Sequence, residues 1–95
     1  MIVSDFERIE KEKMEQLKFP KRDVLKSARD IEDRSSELSR ALVEARQNNA
    51  RLKIYFEDEK SRKVVETSIW GLTNKQVILD SHVGIPISRI HSVKP

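Results

Sequence analysis

The sequence predicts an α+β protein: N-terminal α-helices, a short one and a long one, followed by a small five-stranded antiparallel β barrel. Three observations carry that prediction. Residues 1–50 place apolar side chains at helical spacing, with no Gly or Pro between Lys21 and Asn48. Residues 51–95 change to a period of two, broken by polar turns, and contain both glycines of the chain, Gly71 and Gly84. Hydrophobic and charged residues each make up 37% of the 95 residues, so the core is modest, and the length allows one domain or a small domain with a helical appendage. The apolar residues are periodic, which argues against disorder.

The expected division is a helical segment over 1–50, with helices at about 4–17 and 20–48, and a barrel over 51–95. In the first helix Phe6, Ile9, Met14 and Leu17 form a thin stripe. Ser4 and Glu7 fit a capping box, and Glu7 with Lys11 and Arg8 with Glu12 stand at the spacing of helical ion pairs. Pro20 ends this helix and opens the next. The second carries Asp23 in its first turn and Arg46 in its last, as the helix dipole favours, and Asn48-Asn49 is a stop. Val24, Ala28, Ile31, Ser35, Leu38, Leu42 and Ala45 follow alternating steps of four and three, a heptad seam that is polar only at Ser35. At 1.5 Å per residue the helix would span roughly 43 Å. The first helix is too short to cover that seam. A hairpin with the first helix plus a second copy of the chain is therefore expected, a homo-oligomer through Val24, Ile31, Leu38, Leu42 and Ala45; the alternative is that the barrel covers the seam as ordinary core.

In the second half Leu52, Ile54 and Phe56 alternate with Arg51, Lys53 and Tyr55, the pattern of a half-buried strand. The polar run Glu57-Asp58-Glu59-Lys60-Ser61 is a hairpin loop. A long strand follows over 63–72, with Val65, Thr67 and Ile69 facing inward and Val64, Glu66, Ser68 and Trp70 outward. Residues 77–79 form a short buried strand, and residues 83–87 a fourth, in which Pro86 marks an edge or a corner. Ser88-Arg89 starts one helical turn before a fifth strand over 90–93. Val65, Ile69, Leu79 and Ile87 are the expected inner face. Five short strands in about 45 residues suit an SH3-like barrel.

Ile54-Tyr55-Phe56, Ser68-Ile69-Trp70, Val77-Ile78-Leu79 and the closing Ile90-His91-Ser92-Val93-Lys94-Pro95 resemble the strand rhythm of Sm-like barrels. The ending is similar to the second Sm motif of the bacterial RNA chaperone Hfq, as is a helix ahead of the barrel. The resemblance covers about 45 residues and implies the barrel shape and an RNA- or single-stranded-DNA-binding surface. The chain departs from that family in having Glu57-Asp58-Glu59-Lys60 in place of a Gly-containing turn, no Gly between Lys63 and Trp70, and Ile85-Pro86-Ile87-Ser88-Arg89 ahead of the last strand.

Function is framed mainly by what is missing. No cysteine is present, which excludes a disulfide scaffold, a zinc ribbon and a thiol nucleophile. Asp80, Ser81 and His82 are adjacent, so their side chains diverge and read as a surface turn instead of a triad. His82 and His91 lack a third ligand at a metal-binding spacing, and Gly71 and Gly84 stand alone, so there is no phosphate loop. No enzyme, no cofactor and no metal are expected. No apolar run reaches the ~20 residues of a membrane span, and Met1 to Phe6 lacks the basic and apolar regions of a signal peptide, so a cytoplasmic, non-membrane protein is expected. The expected function is a non-catalytic interaction module, its barrel binding a protein partner and its helices mediating self-association. Nucleic acid is the alternative partner. Residues 51–95 hold 8 basic and 5 acidic side chains, which is the whole net charge of +3. Arg51, Lys53, Lys63, Arg89 and Lys94 would meet phosphates if they converge, with Tyr55, Trp70 or His91 stacking bases. Glu57, Asp58 and Glu59 would repel a strand at one end. Trp70 either anchors the long helix on the barrel or serves as the stacking or partner contact.

Overall fold

The structure is a computed structural model that describes residues 5–48 and 51–94. Ser4 of the expected capping box, Asn49 of the helix stop and Pro95 of the closing motif lie outside the described residues. The fold is α+β, and among the described residues it has one long helix, α1 (Ala28–Asn48), in mid-chain and seven strands: β1 (Glu7–Arg8), β2 (Leu52–Glu57), β3 (Arg62–Thr67), β4 (Ile69–Leu72), β5 (Gln76–Leu79), β6 (Gly84–Pro86) and β7 (Ile90–Lys94). They form two sheets, ordered β1-β3-β2-β7 and β4-β5-β6. Every pairing is antiparallel except β1 with β3. A single hydrophobic cluster joins Met14, Leu38, Ala41 and Ala45 to Ile54, Phe56, Val65, Leu79, Ile85 and Ile90, so α1 and both sheets share one core.

The first expected helix does not form. Glu7–Arg8 pairs with β3, and only Lys11–Gln16 is helical, as a 3-10 turn. A helix of some fourteen residues is marginal in water by itself, and here the free edge of β3 competes for its backbone: the Ile9 amide donates to the Val64 carbonyl at 3.0 Å. The expected helical ion pairs are replaced by longer-range ones, Arg8 with Glu66 at 3.4 Å and Lys11 with Asp80 at 3.2 Å. The apolar positions still find cover: Phe6 and Met14 are buried, and Ile9 and Leu17 half-buried.

The long helix begins at Ala28, not at Pro20. Ser27 caps it, its Oγ accepting the Asp30 amide at 3.0 Å. The residues ahead of it are held in non-helical form by one tertiary and one local bond: Val24 N donates to Ser88 O at 2.9 Å, and Asp23 Oδ1 accepts Leu25 N, two residues on, at 2.8 Å. The buried stripe of α1 is Arg34, Leu38, Ala41 and Ala45, turned to one side of the expected seam. Leu38 and Ala45 are therefore covered within the chain, Val24, Ile31 and Leu42 are half-buried, and Ala28 and Ser35 are exposed.

The inner face of the strands follows the predicted parity. Val65, Thr67, Ile69 and Leu79 are buried; Ile87 departs from the expectation, half-buried because it lies in the 3-10 turn beyond β6 and not on the strand. The long strand expected over 63–72 is interrupted at Ser68, where the chain passes from the first sheet to the second. The single turn before the last strand is a 3-10 turn, Ile87–Arg89.

Helix α1 also closes the outer edge of β7. Arg34 Nη1 donates to Ile90 O at 3.1 Å, and Glu37 Oε1 accepts Val93 N at 2.9 Å. Two side chains one turn apart thus satisfy edge groups that would otherwise invite pairing with another strand.

Candidate functional site

The basic residues expected to converge on a strand of nucleic acid do not form one surface. Lys63 is buried, its Nζ donating to Asp58 Oδ2 at 3.0 Å and to Ser61 Oγ at 2.7 Å. Arg89 is buried as well. Its Nε donates to Glu57 O at 3.0 Å and its Nη1 to Arg22 O at 2.6 Å, tying the 3-10 turn before β7, the 57–61 loop and the connection ahead of α1 together. Lys94 is exposed but pairs with Glu37 at 3.4 Å. Lys53 is exposed, with Glu66 and Lys94 as its cross-strand neighbours.

The 57–61 loop explains why Lys63 is inside. Asp58 is buried and accepts the amides of Lys60 at 2.9 Å and Ser61 at 2.8 Å, an Asx-type turn that builds the hairpin. Burial opposes the charged form of Asp58, but the Ser61 amide, the Lys63 ammonium and the Lys60 amide outweigh it and hold the carboxyl below the usual carboxylate range.

The expected stacking residues are also separated. Tyr55 points away from the core, yet it is buried because Phe6 crosses the outer face of the sheet, edge-on to the Tyr55 ring at 5.2 Å and to the His91 ring at 5.4 Å. His91 Nε2 lies 3.0 Å from Glu57 Oε1, so this imidazole is engaged within the fold. A covered Tyr55 and an engaged His91 offer no free face to a base.

Trp70 is different. It lies in the other sheet, on β4, and is 65% exposed; among the described residues the one other exposed large hydrophobic is Val43 on α1. It does not anchor the helix. Its neighbour is His82, whose ring meets the indole edge-on at 4.7 Å between centroids. His82 has a φ of 70°, in the left-handed region, the one non-glycine among the described residues with positive φ. That conformation is uncommon for a side-chain-bearing residue and concentrates at turns and functional positions. The turn is fixed by His82 N donating to Leu79 O and Leu79 N donating to Val83 O, both at 2.9 Å. From the sequence His82 is a surface-turn residue; what brings it against Trp70 is the short Asp80-Ser81-His82 turn.

No side-chain hydrogen bond joins Asp80, Ser81 and His82. The Asp80 carboxylate accepts from Lys11 Nζ and from Thr67 Oγ1 at 3.2 Å, while Ser81 Oγ is buried without a partner. Among the described residues no three His, Cys, Asp or Glu side chains are grouped to hold a metal ion, and no helix is long and apolar enough to cross a membrane. Compared with protein-family models, with curated proteins and with solved structures, the chain matches none of them.

Proposed function

We propose that this chain is a non-catalytic interaction module that binds a protein partner through a surface centred on Trp70 and His82. The observation that carries the reading is an indole held 65% exposed beside an imidazole kept at positive φ. An exposed Trp presents more apolar area than any other side chain. Rigid aromatics of this kind supply the few residues that dominate protein interfaces.

A five-stranded barrel of SH3-like or Sm-like type is part of the same reading. Taken as one strand bent at Ser68, β3 and β4 link the two sheets into the order β7-β2-β3/β4-β5-β6, with the 3-10 turn before β7. Self-association through the helix would rest on the positions outside the core, Ile31, Ser35 and Val43, with the exposed part of Leu42. Nucleic acid has less in its favour as the partner, because Lys63 and Arg89 are consumed inside the fold and Trp70 stands in a different sheet from Lys53.

Trp70 is the single tryptophan, so its emission reports this surface alone. Photocrosslinking in cells from Ile78, on the strand paired with β4, leaves the indole in place and should trap one discrete protein partner, while the same group at exposed Lys60 should not. The purified partner should shift the Trp70 emission to the blue, and Trp70→Ala should abolish binding without unfolding the chain. Equal crosslinking from both positions, or full binding by Trp70→Ala, would refute the proposal. A single-stranded oligonucleotide that quenches Trp70 at low salt and releases it at moderate salt would favour the alternative.

A further inference from the structure

We infer that the cleft bounded by residues 19–23, the 73–76 turn and residues 86–88 is a binding site for a small organic anion with an apolar body. This site is separate from the Trp70 surface. Its volume is about 680 Å³, within the roughly 300–1,000 Å³ of small-molecule sites.

The cleft is preformed. Thr73 Oγ1 accepts the amides of Lys75 at 3.2 Å and Gln76 at 2.9 Å, which closes the turn that makes one wall. Ile87 N donates to Lys75 O, joining that turn to the second wall, and Val24 N donates to Ser88 O, joining the second wall to the third, both at 2.9 Å. A ligand would therefore meet walls already bonded to one another, with little ordering left to do on binding.

The lining sets the ligand class. Phe19 and Ile87, both half-buried, offer an apolar surface, and Phe19 is held by packing against Phe56 at 5.9 Å between ring centroids. Four charged side chains line the cleft: Lys21, Arg34 and Lys75 against Asp23. Asp23 and Arg34 neutralise each other through two hydrogen bonds of 2.8 and 2.9 Å, and Asp23 Oδ1 also accepts Leu25 N. Lys21 and Lys75 are exposed and make no ion pair among the described residues. The cleft thus carries two uncompensated positive charges beside an apolar wall, and a concave surface concentrates their field on an entering anion. The complement is a carboxylate, sulfonate or phosphate on a flat or aliphatic body.

The test titrates the full chain with anilinonaphthalene sulfonate, an apolar ring system bearing one anion, followed by dye fluorescence and backbone amide shifts. The expected result is a single site whose shifts fall on Thr73–Gln76 and Ile87–Ser88. Lys21→Gln with Lys75→Gln should weaken it by about tenfold or more without changing the far-ultraviolet circular dichroism. Neutral phenylnaphthylamine should bind at least tenfold more weakly. Unchanged affinity in the double variant, equal binding of the neutral dye, shifts that fall on the Trp70 surface, or displacement of the dye by equimolar inorganic phosphate would each overturn the assignment.

Discussion

Removing the carboxylate of Asp23 should cost more stability than its place in an irregular connection suggests. Its partner Arg34 is only 4% exposed at the side chain, against 29% for Asp23, and the two share bonds of 2.8 and 2.9 Å. Arg34 keeps one other acceptor, Ile90 O at 3.1 Å, and its Nε already has no partner. Asp23→Ala therefore leaves a guanidinium in the interior with a single bond. Breaking a buried pair from one side costs about 3–5 kcal/mol. Because Asp23 is partly in water, the lower end, about 3 kcal/mol, is the working figure. At roughly 4–8 °C per kcal/mol for a chain of this size, Tm should fall by about 12–24 °C. Asp23→Ala with Arg34→Met removes the stranded charge as well and should regain up to about 2 kcal/mol of that loss, the remainder being the roughly 1–3 kcal/mol for leaving Ile90 O unpaired. Thermal and urea melts at pH 7 are the assay. A cost below about 1 kcal/mol for Asp23→Ala would show that the buried guanidinium does not depend on it, and the reasoning would fail.

The same pair sets an acid limit. The bond from Arg34 is the main cause holding the Asp23 carboxyl below the usual carboxylate range, with burial acting against it and the Leu25 amide adding to it. The folded value is depressed, so the folded state binds fewer protons than the unfolded chain in that window. The stabilisation is present above the unfolded value of about 3.9 and is lost as pH falls through the folded one. Asp58 is depressed in the same direction and adds to the loss. Stability should drop below about pH 4 in the wild type, and less steeply in Asp23→Ala.

Three further outcomes are expected. Leu38 is buried in the shared core, so Leu38→Asp should unfold the chain by placing a charge there instead of dissociating a folded oligomer; circular dichroism beside sedimentation separates the two, and a folded monomeric variant would refute the burial argument. Ile69→Ala, at a buried position of β4, should cost about 2–5 kcal/mol in urea melts, and a cost under about 1 kcal/mol would show that the site collapses around the smaller side chain. His82→Gly relieves a positive φ and should hold or raise stability by up to about 1 kcal/mol while weakening partner binding, because the ring beside Trp70 is lost; a variant that binds as well as the wild type would remove His82 from the site.

Strand parity was legible because burial on one face imposes a period of two, and a slip of one residue would send every apolar side chain outward. Val65, Thr67, Ile69 and Leu79 followed from that rule, and so did the outward direction of Trp70. Tyr55 shows where the rule stops: its direction is as expected, but Phe6, nearly fifty residues away, folds over it. The N-terminal segment was misread because its apolar spacing suits a short helix equally well, and only the open edge of β3 decides between them. The helix start failed for a related reason. Pro20 and Asp23 are good opening residues by local propensity, but Asp23 is bound to Arg34 and Val24 to Ser88, and tertiary bonds override weak local preferences. The heptad seam located the helix face only to within its flank, since the buried stripe includes Arg34, a residue that no hydrophobic pattern marks.

Arg34 leads to a more general point about a chain with as many charged as apolar residues. Much of its charge is structural. Arg34 and Glu37 close the edge of β7, Arg89 gathers carbonyls from two loops, and Lys63 with Asp58 builds a hairpin. Each of these groups satisfies backbone or a partner that would otherwise be buried unpaired, a penalty of about 1–3 kcal/mol apiece, and so does work that a larger core would share. The net charge of +3 is therefore a poor guide to what the surface attracts, because the residues producing it in the strand-rich half include Lys63 and Arg89, which lie inside. The surface cations that remain without partners among the described residues are the ones to weigh. Lys21 and Lys75 meet at a cleft with an apolar wall, and the large exposed ring, Trp70, stands apart from them. The proposed anion cleft and the proposed Trp70 surface share no lining residue, so variants at each should leave binding at the other unchanged.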